Sequence, residues 1–313
     1  MQIDDIFDSF RKRITEIQLF RKVVNETTKN ELERFLELAH ADAETPLPGG
    51  LSHFMSNQSM SYYDPETGIL RPYGFAKSRV EDRLHQVIKQ KNRQYGWLLV
   101  EAYEEFEEFL KHTYAWLGMH DWRAWRLREF GNVSFAELSQ QPISWYRKAV
   151  EREYSQQPKL ILSRLRNLYP RLEKLEENNK INRNLRVSVE LIGNLRHKIV
   201  HARGTIADKD GFVQQVLEGC GRWNNGQPKP SNRAMVETYL SADPDDCFIT
   251  LIEVEAPLPS GAPPEARRVL NAQFDICGSL ISDLMADADL VHGSLSPPPA
   301  STAPQPAKPN SDP

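Results

Sequence analysis

The chain has 313 residues, of which 40% are hydrophobic and 26% are charged, and its formal net charge is -4. This composition is that of an ordinary globular protein with enough apolar residues for a real core. The net charge excludes a protein that binds polyanions over its whole surface. The three cysteines are widely spaced and form no CxxC pair, which excludes a disulfide framework and a zinc ribbon.

The sequence predicts a cytoplasmic protein without a membrane partner. No apolar run is long enough to span a bilayer. The N-terminal stretch "MQIDDIFDSFRKRITEIQLF" has acidic residues before its basic ones and no apolar block followed by small residues, so a signal peptide is not expected. Between residues 147 and 203, fourteen Lys and Arg stand against six Glu. This basic region is either a footprint for nucleic acid or a solvated face that pairs with acidic helices.

The first half of the chain predicts three helices and a hairpin. Apolar spacing indicates two helices within residues 3 to 42, the second one capped by Thr28. A segment rich in proline and glycine follows, with a short hairpin around "DPETG". A long helix is predicted over residues 79 to 118. Its glutamate-rich face lacks the Glu-x-x-His spacing of di-iron bundles, so a solvated acidic face is expected.

The stretch "DWRAWRLREFG" alternates aromatic residues with arginines. Such a pattern can stack unpaired bases, or its tryptophans can anchor a connecting segment in the core. An amphipathic helix is predicted over 142–178 with a kink at Pro170, and another over 184–203 that ends at Gly204. A strand-like segment, "CFITLIEVEA", precedes a last helix over 264–291. The proline-rich end after residue 293 is expected to be disordered.

These elements predict a mainly α protein in which antiparallel helices near 85–118, 142–178, 184–203 and 264–291 form a bundle. We expect a helical and irregular N-terminal extension over residues 1–80. A helical domain over 81–293 would follow, with a small strand-bearing insertion at about 205–262. A proline-rich tail over 294–313 completes the chain.

The stretch "GNLRHKIVHARG" carries the most informative residues of the chain. In a helix, Arg196 falls within the apolar arc, whereas a second stripe contains Glu190, Asn194, His197 and His201. A guanidinium on an apolar face is costly unless it is paired or reaches a cleft. One interpretation is therefore an ion pair with the acidic helix, through Glu101, Glu105 or Glu108. Another is a metal half-site at the two histidines, but no third ligand is visible.

The segment "NLRHKIVHARG" resembles the signature of the HEPN superfamily, in which an arginine precedes a histidine by a few residues within a helical bundle. Arg196 and His201 match that arginine and histidine, and His197 follows the arginine where asparagine is commonest. The resemblance implies a bundle of HEPN type and a metal-independent endoribonuclease, of the kind found in toxin–antitoxin and antiviral defence systems. It also implies RNA as substrate, a homodimer, and an antitoxin or regulatory partner.

The residue chemistry agrees with that resemblance. An imidazole can transfer protons near neutral pH, and a guanidinium can hold two phosphoryl oxygens, so neither a metal nor a cofactor is needed. Positions five apart on a helix differ by roughly 140°, so one motif does not easily clamp one phosphate. A two-fold axis would unite two motifs. The supporting residues that we expect are Glu190, Asn194, Lys198 and Arg203. The alternatives are a catalytically inactive HEPN-like module that binds a nucleotide or a partner, and a helical scaffold.

Overall fold

The computed structural model describes residues 2–44, 56–126, 129, 131, 133–155, 157–224, 227–241, 247–252 and 276–295. Helices make up most of these residues, which confirms the prediction of a mainly α protein. No helix within these ranges combines the length and the apolar character that a membrane span requires.

The helices and strands follow one another in a simple order along the chain. They are α1 (Ile3–Glu44), β1 (Ser56–Tyr63), β2 (Leu70–Ser78), α2 (Val80–His120), α3 (Phe135–Leu138), α4 (Ile143–Tyr154), α5 (Lys159–Leu168), α6 (Pro170–Glu177), α7 (Leu185–Ala202), α8 (Lys209–Gly219), β3 (Trp223–Asn224), β4 (Gln227–Pro228), α9 (Pro230–Glu237) and α10 (Ile276–Leu295).

Helix α1 is a single helix of 42 residues, so the prediction of two helices over 3–42 was wrong. Thr28 is buried within the helix and is not a cap. The segment contains neither proline nor glycine. The polar residues around Thr28 therefore lower the helix propensity without ending the helix.

Strands β1 and β2 form the predicted hairpin. They pair in antiparallel fashion, with an irregularity in the register between Met60 and Ser61. Asp64 begins the turn, since its side chain accepts hydrogen bonds from the backbone N–H groups of Glu66 and Thr67, both at 2.9 Å. Gly68 closes the turn at a φ of 69°, a conformation that glycine adopts without strain.

The helix predicted over 142–178 is three helices, α4, α5 and α6. Pro170 is the first residue of α6 and does not kink a continuous helix, because proline has no N–H to donate and suits the first helical turn. Two predicted regions lie partly outside the described residues: the strand-like segment beyond residue 252 and the last helix before residue 276. The predicted tail from residue 296 onward also lies outside them.

The chain divides into two compact units. The first contains the described residues of Met1–Phe10, Glu107–Asn184 and Ala286–Pro313. Its interior holds the Glu129 carboxylate, which accepts hydrogen bonds from Tyr114 at 2.9 Å and from Tyr154 at 2.5 Å. Burial and this carboxylate raise the pKa of Tyr154 to about 12, so both phenols stay protonated as donors.

The second unit contains the described residues of Arg11–Phe106 and Leu185–Met285. It includes the whole of α7, whose buried face is formed by Leu191, Ile192 and Leu195. Ser188 on α7 donates a buried hydrogen bond of 2.7 Å to Asp283 on α10, which fixes the helix from a second side. The sequence-based division into an extension over 1–80 and a domain over 81–293 stays a prediction, because compact units and family modules divide a chain differently.

Candidate functional site

Helix α7 carries the whole "RHKIVH" segment in its last two turns. The helix ends at Ala202, and the next two residues, Arg203 and Gly204, have φ values of 54° and 82°. The N–H of Gly204 donates to the carbonyl of Lys198 at 3.0 Å, a bond that closes the helix end. The predicted helix end at Gly204 was thus nearly correct. His201 directly precedes Ala202, the last residue of α7.

Helix α7 and the part of α2 up to Phe106 lie side by side and run antiparallel within the second unit. A Cβ at Gly96 of α2 would lie 3.5 Å from Ile199, and a Cβ at Gly193 of α7 would lie 2.7 Å from the Tyr103 hydroxyl. As residue numbers rise on α2, their contacts on α7 fall. The two glycines therefore permit the close approach that brings the acidic face of α2 to Arg196.

The Arg196 guanidinium binds Glu104 of α2, with 3.0 Å between Nη2 and Oε1. The arginine side chain is 31% exposed and the glutamate side chain 52% exposed, so the pair is open to solvent. The acidic helix was correctly predicted as the partner, but Glu101, Glu105 and Glu108 were the wrong residues. Glu101 and Glu105 instead bind Arg13, at 3.2 and 3.1 Å.

The Arg196 guanidinium keeps hydrogen-bonding capacity beyond this ion pair. Its Nε is buried and has no hydrogen-bond partner among the described residues. A guanidinium has five N–H donors, and a phosphate accepts two of them in parallel. The exposed part of the group can therefore take a phosphoryl oxygen while Glu104 holds the other edge.

His197 and His201 form a pair of exposed imidazoles. Their ring centroids are 4.8 Å apart and the rings are tilted by 50°. The pKa of His197 lies below its ordinary value, first because of partial desolvation and then because of His201, Lys198 and Arg196. His197 is therefore neutral at neutral pH and can accept a proton.

The structure places the predicted site residues of α7 in three separate contacts. Among the described residues, Glu104 is the hydrogen-bond partner of Arg196, and His201 contacts His197. The Asn194 amide donates to the Glu190 carbonyl at 2.8 Å and to its carboxylate at 3.1 Å. That carboxylate packs against Gly219 of α8, where a Cβ would not fit.

Lys198 lies between the two histidines in the sequence, and Arg203 follows them. Arg203 is exposed and Lys198 is half-buried, and both belong to the last turn of α7 or the residue after it. Both cations are therefore close in sequence and on the surface to His201. They are suited to weak, salt-dependent contacts with a phosphate backbone.

The structure bears on two further hypotheses, the metal half-site at the histidines and base stacking by the aromatic segment. Within the described residues, no group of three or more His, Cys, Asp or Glu residues could hold a metal ion. In the aromatic segment, Trp125 is a core residue that stacks on Tyr114 at 5.5 Å, whereas Trp122 is 47% exposed. Trp125 thus has the predicted anchoring role. Phe130 and Arg128 of the same segment lie outside the described residues.

Sequence reasoning missed two residues of this surface, Glu104 and Trp97. Glu104 belongs to the acidic face but was not named as the partner, since the rotation of α2 against α7 was unknown. Trp97 lies in the long helix predicted over 79–118 and is 55% exposed. The glycine immediately before it, which marks the helix crossing, was the available signal.

Comparison of the chain with protein-family models, with curated proteins and with solved structures gives no match in any of the three. The candidate site is therefore defined by its residues and their geometry.

Proposed function

We propose that the protein is a metal-independent endoribonuclease of HEPN type that cleaves RNA by attack of a ribose 2'-hydroxyl on the adjacent phosphate. The observation that supports this most is the surface of the last two turns of α7. A partly exposed guanidinium and two neighbouring exposed imidazoles occur there within six residues. These are the groups that such a reaction needs.

In the proposed mechanism, one imidazole removes the proton from the 2'-hydroxyl, whose oxygen then bonds to phosphorus. The 5'-oxygen leaves and takes a proton from a second imidazole, which gives a 2',3'-cyclic phosphate and a 5'-hydroxyl. Arg196 donates to the phosphoryl oxygens and stabilises the extra negative charge of the five-coordinate phosphorus. His201 carries one proton transfer, and His197, neutral at neutral pH, is available for the other.

We propose that the working form is a homodimer. Arg196 and His201 are five positions apart on α7, and that spacing turns their side chains roughly 140° from each other. A two-fold axis beside α7 would let the arginine of one subunit and the histidine of its partner reach the same phosphate. A role in defence against phage or as a toxin, with an antitoxin or regulatory partner, belongs to the same proposal.

A second candidate is a HEPN-like module that binds RNA or a partner without cleaving. Two observations favour it: histidine stands where asparagine is commonest in the HEPN signature, and Glu104 already occupies one edge of Arg196. Both candidates use the same surface. They differ in whether RNA is cut.

The test is an RNA cleavage assay in EDTA with the wild type and the variants Arg196→Ala and His201→Ala. Matched controls are Arg233→Ala, a partly exposed ion-paired arginine, and His40→Ala, an exposed histidine. We expect cleavage by the wild type and both controls, and a loss of about 100-fold or more in each motif variant. Cleavage that persists in both motif variants would refute the proposed site. Intact RNA with the wild type, despite binding, would support the second candidate.

A further inference from the structure

Trp97 is an exposed indole on α2, the helix whose Glu104 binds Arg196 of the motif. It lies in α2, where its neighbours Leu98 and Leu99 are buried, yet it is itself 55% exposed. A single exposed apolar side chain is ordinary in a soluble protein. Whether Trp97 has a role in binding therefore depends on the residues around it.

The packing of α2 on α7 fixes the position of Trp97 relative to the motif. A Cβ at Gly96 would lie 3.5 Å from Ile199, so Gly96 faces that residue, and Glu104 binds Arg196. Trp97 directly follows Gly96, so it lies level with the turn of α7 that contains Val200 and His201. Along α2, Trp97 is about 10 Å from Glu104, which is seven residues at 1.5 Å each.

The apolar surface at this point is small. Val200, one turn after Arg196, is 36% exposed and is the exposed apolar residue of that turn. Trp97 and Val200 each directly follow a residue at the crossing of α2 and α7, Gly96 and Ile199, and they add little exposed apolar surface there. A patch this small suits a single planar group better than a protein surface.

The charge along α2 changes sign at Trp97. Lys89 and Arg93 precede it by two turns and one turn, and both are exposed. Glu101 and Glu104 follow it at the same spacing, and each is bound by an arginine. Arg203 directly follows the C-terminal end of α7, and because α2 and α7 run antiparallel it lies towards the same end of α2 as Lys89 and Arg93. A phosphate backbone is attracted to that end.

We propose that Trp97 stacks on an unpaired nucleobase of single-stranded RNA, next to the phosphate held at the motif. This inference rests on the proposed function. An indole beside cationic residues is the arrangement by which proteins bind single strands, because every base has a π-face and the neighbouring phosphates need neutralising. Bases inside a duplex do not offer that face, so the substrate class is single-stranded RNA with little base preference.

A second copy of the chain fits this surface less well. Across a two-fold axis at Trp97, distinct from the one proposed beside α7, Lys89 and Arg93 would approach the same cations of the partner subunit. Like charges in such a contact are unfavourable. Single-stranded RNA brings the opposite charge to the same residues.

The test measures binding of the full-length protein to a fluorescent single-stranded RNA with 2'-O-methyl groups, which lacks the attacking hydroxyl. The variants are Trp97→Leu, which keeps an apolar side chain without a π-face, and Trp97→Tyr, which keeps an aromatic ring. Trp122→Leu is the matched control, because Trp122 is 47% exposed in the other unit. We expect Trp97→Leu to weaken binding about tenfold, and Trp97→Tyr and Trp122→Leu to bind almost as the wild type does.

The outcomes separate this inference from the proposed function. Wild-type binding that Trp97→Leu weakens, without cleavage of ordinary RNA, would support the stacking role and refute the nuclease. Equal binding by Trp97→Leu and the wild type would overturn the stacking role, whether or not RNA is cut. A loss of self-association in Trp97→Leu with unchanged RNA binding would overturn it too and assign Trp97 to a contact between copies.

Discussion

At the residue scale, the Arg196 guanidinium is shared between an internal carboxylate and the phosphate that we propose as its ligand. Glu104 holds Nη2 from α2, and both side chains are open to solvent. An exposed pair of this kind adds at most about 1 kcal/mol to stability. Its larger effect is on binding, since the glutamate places a negative charge where an RNA phosphate would lie.

Glu104→Gln is therefore expected to bind RNA more tightly. Glutamine keeps an acceptor for Arg196 but removes the repulsion between carboxylate and phosphate. We expect a several-fold lower Kd and a steeper dependence of log Kd on log salt, measured by fluorescence anisotropy with uncleavable RNA. Glu101→Gln is the control, because Glu101 binds Arg13 instead. Equal effects of the two substitutions, or weaker binding by Glu104→Gln, would contradict this role of Glu104.

His197 is expected to titrate below its ordinary pKa of 6.5, because partial desolvation and the charges of His201, Lys198 and Arg196 disfavour the protonated ring. The unfolded chain then binds this proton at higher pH than the folded chain does. The contribution of His197 to stability is thus present above pH 6.5 and declines as the pH falls through the folded pKa. NMR titration of the imidazole measures the midpoint. Lys198→Gln should raise it, and an unchanged midpoint would count against this assignment.

At the element scale, helices α5 and α6 are joined by a charged pair across their break. Arg166 binds Glu176 through three hydrogen bonds of 2.7, 2.8 and 3.0 Å. The Glu176 side chain is fully buried and that of Arg166 is 14% exposed. Burial acts to lower the pKa of Arg166, but Glu176 more than offsets it, so the pKa is raised and the guanidinium stays charged.

Glu176→Gln should consequently destabilise the protein. It leaves a buried guanidinium without its charged partner, and we expect the free energy of unfolding to fall by about 3 kcal/mol. Chemical denaturation monitored by circular dichroism measures the change. Glu153→Gln disrupts the more exposed pair with Arg152 and should cost less than about 1 kcal/mol. Similar losses for the two variants would show that the buried pair does not hold this helix break.

Local sequence signals predicted much of the fold, and packing between distant elements decided the rest. The turn residues of "DPETG" predicted the hairpin, and the glycine after α7 predicted its end, because both depend on local backbone chemistry. The predicted number of helices was wrong for residues 3–42 and for 142–178. The polar residues around Thr28 do not interrupt α1, and Pro170 begins a new helix instead of kinking a continuous one. The sequence predicted that Arg196 binds the acidic helix. Which glutamate it binds, Glu104, and the exposure of Trp97 both depend on the rotation of α2 against α7, which no local pattern specifies.

At the scale of the whole molecule, the account requires two chains at one phosphate. We expect a mass of twice 36.0 kDa by sedimentation. Mixing Arg196→Ala with His201→Ala should restore part of the activity after subunit exchange, because the mixed dimer contains one intact arginine and one intact histidine in a shared groove. Mixtures that stay as inactive as the separate variants would indicate that each chain acts alone.

In the proposed reaction, the 2'-hydroxyl of the RNA is the attacking group, and Arg196 and His201 assist it. Analysis of the cleavage products tests it most directly, with RNA and a 2'-deoxy strand of the same sequence incubated with the wild type in EDTA. We expect 2',3'-cyclic phosphate and 5'-hydroxyl ends from RNA and an intact deoxy strand. Products with 3'-hydroxyl and 5'-phosphate ends, or cleavage of the deoxy strand, would contradict it.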